Sequence, residues 1–405
     1  MAETLGLADV QRAMKLVGPM VRHTPMKHSA TLGELTGSDF YLKLENFQIT
    51  GSFKVRGALN RIHALSAAEK KKGVVAASAG NHAQGVAYAA RKMGVKCTIF
   101  MPEEATLAKV RATQSYGADV HLMGKDYQEA YEYAAEFGRK AGAVYVHAFD
   151  DPLVMAGQGT LGLEIHEDLP KVDTVLVPIG GGGLISGVAT ALKGLNPKIK
   201  VIGVQAEGAS TVAPSLQKGV PISLDHADTM ADGIAVRKMS PTTLPIIRKV
   251  VDEVVTVDES EIAAAILFLL ERVKTVAEGA GAVTLAAAMQ GKVDLKGKTV
   301  CAVVSGGNID MPLVSRIIRR GMVKEGRIAV ITTDISDRPG SLAALLALLA
   351  KHKASVIDLH HDRHRTDISL NRTGVEVHVE TRGPDHMAEL KAVLKQAGYD
   401  ATVDH

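Results

Sequence analysis

Cysteine is nearly absent from this chain: Cys97 and Cys301 are the only two in 405 residues. Each lies in a strand-like apolar run, VKCTIFM and TVCAVVS, so a disulfide framework is excluded and two buried free thiols in a reducing compartment are expected. No run of five like charges occurs and the formal net charge is only +3, which removes the electrostatic footprint of a nucleic-acid or membrane-surface protein. No stretch approaches the roughly 18 apolar residues of a membrane span. The opening MAETLGLADVQRAMKLV alternates charge with apolar residues, where a signal peptide needs an unbroken apolar core. Repeats and low-complexity tracts are missing too. A soluble cytoplasmic protein acting on small molecules is the expectation these absences leave.

What is present is a chain 46% hydrophobic, long enough for about two to three domains. Apolar runs at 74 to 78, 95 to 101, 119 to 123, 174 to 179, 200 to 206 and 298 to 305 alternate with amphipathic helical stretches. Continuous apolar strands separated by helices predict parallel sheet covered on both faces, an α/β arrangement. After Arg320 the rhythm changes. RIAVITTD, SLAALLALLAKHK, ASVIDLHHDRH, TGVEVHVETRG, PDHMAELKAVLKQAGY and DATVDH read as βαββαβ, the ferredoxin-like order. The expected partition is a catalytic body at 1 to 320, with a smaller subdomain at roughly 55 to 150, a linker at 321 to 326 and a module at 327 to 405.

Four successive glycines, Gly180 to Gly183, stand between the strand TVLVPI and a helix. Small residues there let backbone N–H groups converge at a helix N-terminus, which suits a phosphate. Neither the dinucleotide fingerprint nor the P-loop is completed, because Leu184, Ile185 and Ser186 follow. The next strand ends in Gln205, where an NAD site would show an acidic residue. A single phosphomonoester fits better. Two further loops, SAGNHAQG from Ser78 and SGGN from Ser305, follow strands and open helices; each suits either an anion or simple N-capping.

Lys54 in ENFQITGSFKVRG is a cation between an aromatic and a β-branched residue at the start of a helix. Lost hydration disfavours its charge and exposes a nucleophilic amine. Pyridoxal 5'-phosphate (PLP) needs such an amine, a phosphate cradle and a partner for its ring nitrogen. Lys54, Gly180 to Gly183 and Ser305 supply those types.

In order along the chain, GSFKVRGA, SAGNHAQG, the tetraglycine turn, TMADGIAV, VAEGAGA and SGGN resemble the threonine dehydratases, of the tryptophan synthase β-like, fold type II PLP enzymes. The resemblance runs through Arg320 and implies two doubly wound sheet subdomains. It further implies that Lys54 carries the cofactor and takes the α-proton, that Phe53 packs on the ring or simply in the core, and that Asn81 bonds the ring hydroxyl. Gly180, Gly181, Gly182, Gly183 and Leu184 would hold the phosphate, placed to protonate the departing β-hydroxyl, with Ser305 at the ring nitrogen. Ser78, Ala79, Gly80, Asn81 and His82 would receive the substrate; His82 alone reads more readily as a packed or capping residue. Glu278 and Gly233 would line the site without a chemical step. With DRPGSL at 337 to 342, the C-terminal module resembles an ACT domain, which implies an amino-acid effector, isoleucine or valine, and a homo-oligomer, a tetramer.

The reaction implied is L-threonine to 2-oxobutanoate and ammonia, with L-serine giving pyruvate. Serine racemase is the nearest rival, but Ala79 stands where the racemases carry a second serine, and the stretch VQAEGAST lacks their metal carboxylates. A catalytically silent amino-acid sensor is the alternative of another class, disfavoured by the intact Lys54. His360, Asp362 and His364 alternate on one strand, and an exposed polar face is the preferred reading over a metal site.

Overall fold

The computed structural model describes residues 5–364 and 367–404; of the opening segment, Met1 to Thr4 lie outside these, as does His405. Contacts divide the chain into two compact units, one ending at Ile309 and one beginning at Asp310. Among the described residues, no helix is long and apolar enough to cross a membrane.

The first unit holds two sheets. The larger orders its strands Met26–His28, Asp39–Leu44, Thr299–Val304, Thr174–Pro178, Lys200–Ala206 and Glu253–Val257; all pairs are parallel except the first. The smaller is wholly parallel, in the order Asp119–Leu122, Cys97–Met101, Val74–Ala77 and Val144–Tyr145. The central strands are buried along their length, apart from Thr299 at the start of one, as their apolar sequences require. Cys97 and Cys301 are free and buried in two of them, and burial pushes each thiol up to about 12, so both are inert. Four strands escaped the sequence reading, among them Asp39–Leu44, whose apolar run is broken by Lys43. Met26–His28 and Val144–Tyr145 are very short, and Glu253–Val257 is mostly half-buried at the sheet edge.

Three helices form the floor under the site. Helix Lys54–His63 packs against both Asn81–Lys92 and Pro152–Asp168. The first crossing is close because a Cβ at Gly85 would come within 3.1 Å of the Lys54 backbone. The second is closer, since a Cβ at Gly157 would lie 2.6 Å from the Arg56 carbonyl. Ridge-and-groove packing at such distances needs glycine at the contact.

Beneath these helices lies a cluster of charges that periodicity had no means of revealing. Arg56 donates from Nη2 to Glu45 Oε1 at 2.8 Å and from Nη1 to Glu164 Oε1 at 2.6 Å. Lys43 Nζ lies 3.0 Å from Glu164 and 2.8 Å from Asp168. Arg56, Lys43 and Glu45 are completely buried. Burial opposes the Arg56 charge, but Glu45 and Glu164 outweigh it and hold its pKa above the ordinary value.

The second unit begins with helix Met311–Lys324, followed by strand, helix, two strands, helix and strand from Ile328 to Asp404. Its sheet order, Ser355–Asp362, Arg372–Glu380, Ile328–Ser336, Ala401–Asp404, is antiparallel throughout, the ferredoxin-like arrangement. Residues 321 to 326, expected as linker, are the last turn of helix Met311–Lys324 and the turn after it. Pro312 at the front of this helix supports a start there, since its ring suits the first turn. Among the described residues no His, Cys, Asp and Glu cluster could hold a metal; Asp362 instead accepts the His364 backbone N–H at 2.8 Å.

Candidate active site

Strands Asp39–Leu44, Thr299–Val304 and Thr174–Pro178 are neighbours in the large sheet, and the loops leaving their carboxyl ends are GSFK, SGGN and the tetraglycine turn. Parallel α/β sheets place their ligands at such ends. The asparagine loop leaves the same end of Val74–Ala77 in the small sheet.

The lysine loop is stitched to SGGN by main-chain bonds. Phe53 N–H donates to the Ser305 carbonyl at 3.1 Å and Gly307 N–H to Gly51 at 2.9 Å, while Ser52 bridges Gly306. Gly51 has φ +72°, where only glycine is comfortable, and this turn starts helix Lys54–His63 at Lys54 itself. Because Gly306 and Gly307 are used in this pairing, SGGN does not open a helix as the sequence suggested. The helix begins six residues beyond Ser305, at Met311.

Lys54 Nζ donates to the Ala148 carbonyl at 3.0 Å and sits 5.2 Å from the centre of the Phe53 ring. No carboxylate touches it among the described residues. Burial lowers its pKa from 10.5 to about 8, against an opposing pull from Glu278. Ala148 belongs to His147-Ala148-Phe149-Asp150, a segment that sequence reasoning passed over because it matches no motif. His147 Nδ1 accepts the N–H groups of Phe149 and Asp150 at 3.3 and 2.8 Å, which curls the segment over the site. Phe149 then covers the glycines, and a Cβ on Gly181 or Gly183 would strike it.

At the tetraglycine turn, Gly182 has φ +92° and caps helix Gly183–Leu195. Thr243 Oγ1 donates to the Gly181 carbonyl at 2.8 Å and pins the turn. Leu184 is buried at the start of the helix.

Asn81 begins helix Asn81–Lys92 and donates from Nδ2 to Glu278 Oε1 at 2.6 Å. Glu278 is pushed up to about 7 by burial, with the Asn81 hydrogen bond opposing. Gly233 lies beside this pair: its Cβ would be 3.5 Å from Glu278 Oε1 and 3.9 Å from Asn81 Nδ2. Ser305 Oγ, 2% exposed, donates to the Ala280 carbonyl at 3.2 Å and keeps its lone pairs. Ser78 Oγ accepts the Gly80 N–H at 3.1 Å, Ala79 is half-buried, and a Cβ on Gly80 would meet nothing within 4 Å. That open space lies at a helix N-terminus. His82 points away, donating from Nε2 to the Val146 carbonyl at 2.8 Å. Burial and the nearby Lys54 charge push it down to about 3, which leaves a neutral packed ring.

These residues fit PLP. They supply a depressed amine, a cradle of backbone N–H groups with no room for a Cβ, and a buried hydroxyl whose proton can turn to a ring nitrogen. Thr50, Ser52 and Ser186 add buried hydroxyls with no hydrogen-bond partner among the described residues, and such groups favour a polar ligand.

Comparison with known proteins agrees. Residues 17–306 match the family model described as pyridoxal-phosphate dependent enzyme. The chain is 50% identical over 397 residues to the L-threonine ammonia-lyase of Thermotoga maritima, covering 98% of this chain and 99% of the relative. Among solved structures, the processed form of threonine deaminase isoform 2 from Solanum lycopersicum has a TM-score of 0.75 at 38% identity, covering 77% of this chain and 86% of that one. Maize serine racemase has a TM-score of 0.75 at 34% identity, with 79% and 98% covered. The chain belongs to the family of pyridoxal-phosphate dependent enzymes, in its fold type II form.

Proposed function

We propose that the chain is an L-threonine ammonia-lyase that converts L-threonine to 2-oxobutanoate and ammonia, and L-serine to pyruvate by the same route. The observation that carries this reading is a half-buried lysine, Lys54, whose amine is held by a carbonyl and not a carboxylate, at the strand ends that also bear the tetraglycine turn. Half-identity to an L-threonine ammonia-lyase along almost all of both chains supports the substrate.

When bound, PLP supplies an electron sink for the substrate α-carbon. The rest falls to this chain. Lys54 would hold the cofactor at its aldehyde carbon, and its amine is the base placed to take the substrate α-proton; a pKa of about 8 suits a base working near neutrality. The backbone N–H groups of Gly180 to Leu184 would hold the phosphate, and Asn81 would orient the ring. Ser305, whose hydroxyl proton is given to the Ala280 carbonyl here, would turn that proton to the ring nitrogen, donating to it without forcing a charge on it. The open space over Gly80 and the first turn of helix Asn81–Lys92 receive the substrate carboxylate. Elimination removes water across Cα and Cβ, and hydrolysis of the imine formed returns one water and releases ammonia.

Racemisation of serine is the second reading, favoured by the maize serine racemase likeness. It needs a proton donor on each face of the ring, and Ala79 has none to offer. A keto-acid assay with L-threonine, L-serine and D-serine, run beside a chiral assay of residual serine, separates the two. Keto acid from L-threonine without D-serine from L-serine is expected; D-serine as the main product of L-serine would overturn the reading.

The proposal extends to the second unit as an ACT domain regulating the first. Its ferredoxin-like strand order and the DRPGSL turn, with Gly340 at φ +92° before helix Ser341–Lys351, support this. Isoleucine and valine are the effectors to test, by calorimetric titration into the full chain. Heat of binding that vanishes on replacing the 337 to 342 loop is expected, and no heat from either amino acid would remove this part of the proposal.

A further inference from the structure

The Asn81 carboxamide is gripped from both ends. Its Nδ2 donates to Glu278 Oε1 at 2.6 Å, and its Oδ1 accepts from Asn308 Nδ2. Asn308 Nδ2 also donates to the Thr50 carbonyl at 3.0 Å, so one amide ties the lysine loop to the asparagine loop. The glycine at 51 makes room for it, since a Cβ there would lie 2.6 Å from Asn308 Oδ1. Glu278 is positioned from the same turn: its backbone N–H donates to the Gly306 carbonyl at 3.1 Å. Residues 306 and 308, on one loop, thereby place both partners of Asn81.

An amide has two nearly equivalent orientations, related by a flip of its oxygen and nitrogen, and a free side chain would sample both. Here a donor waits at one end and a carboxylate at the other. Only the orientation with Nδ2 towards Glu278 satisfies both, and it leaves the second N–H of Asn81 as the donor available to a ligand. We propose that Asn308 is a positioning residue, which with Glu278 locks the Asn81 amide so that it offers a hydrogen bond to the cofactor's ring oxygen. Asn308 acts through Asn81 and touches no reacting atom. The inference rests on the assignment of Asn81 to the ring, and the experiment below tests the two separately.

The measurement is the dissociation constant of PLP, from the visible absorbance of the full-length apoenzyme titrated with cofactor, for wild type, Asn308→Ala, Asn81→Ala and the double variant. A urea unfolding midpoint for each apo variant provides the folding control. One lost hydrogen bond that pre-orders a ligand contact corresponds to about a tenfold weakening. Asn308→Ala is expected to weaken PLP binding about tenfold in the wild-type background and less than twofold when Asn81 is already alanine. Equal weakening in both backgrounds would overturn the proposal, because Asn308 would then act on the scaffold. No weakening in either would overturn it too. Asn81→Ala binding PLP as tightly as wild type would instead sink the assignment of Asn81, and the proposal with it. If the alanine variant does not fold, Asn308→Asp serves: it is nearly the same shape but cannot donate to Asn81, and weakening of tenfold or more that disappears with Asn81→Ala is expected.

Discussion

Two lysines, Lys43 completely buried in strand Asp39–Leu44 and Lys54 half-buried at the start of its helix, have opposite fates. Lys43 is completely buried and meets Glu164, Asp168 and the Thr24 carbonyl at 3.0, 2.8 and 2.8 Å. Lys54 meets one carbonyl, Ala148, at 3.0 Å. Its neighbour Arg56 turns the other way and takes two carboxylates for itself. Burial alone therefore does not make a nucleophile. Pairing ties one lysine into a structural ion-pair network, whereas desolvation of the other, with no carboxylate in contact, lowers its pKa to about 8 and leaves it chemically available.

The largest effect comes from removing the unpaired lysine. Lys54→Ala is expected to lower ammonia release by about 1,000-fold or more and to abolish the visible absorbance of bound PLP. The unfolding midpoint of the apoprotein should stay near wild type, because no ion pair is broken. Arg56→Met tests the paired side of the comparison. Leaving Glu45 and Glu164 buried without their cation should destabilise the chain by about 3–5 kcal/mol in a denaturant titration. The absorbance maximum of whatever holoenzyme remains should not move.

Glu278 offers a subtler probe, being the acid whose charge the site tolerates least. Its folded pKa of about 7 lies above the ordinary 4.5, so the folded state holds a proton that the unfolded chain has lost between those values. Wild-type stability should fall as pH rises from 4.5 to 7, and the cost is fully present above 7. Glu278→Gln removes it, raising apoprotein stability at pH 8 by ~3 kcal/mol and leaving it unchanged at pH 4. The smallest effect is kinetic. Because only a neutral amine adds to an aldehyde, PLP capture by the apoenzyme should quicken with pH and level off around 8, where Lys54 titrates, and not near 10.5.

The motifs GSFK, SAGN, the four glycines and SGGN made much of the site legible, because each is a local device whose glycines mark a turn at a strand end. What stayed hidden depends on distant partners. Arg56 and Glu164 are 108 residues apart and meet only once helix Pro152–Asp168 crosses helix Lys54–His63. Ala148 accepts the Lys54 proton through its backbone, which no side-chain pattern encodes. His82 sits inside a motif, yet its ring turns to Val146, since a buried histidine seeks the nearest carbonyl. The short and edge strands carry too few apolar residues to stand out, and the helix expected directly after SGGN begins only at Met311 because the SGGN glycines are taken up in pairing with the lysine loop.

The central claim is that Lys54, and not its paired neighbour, holds the cofactor. Reducing the holoenzyme with sodium borohydride and mapping the pyridoxyl-bearing peptide by mass spectrometry tests it directly. The label should fall on Lys54 alone, at close to one per chain; a label on Lys43 or another lysine, or none at all, would contradict the account.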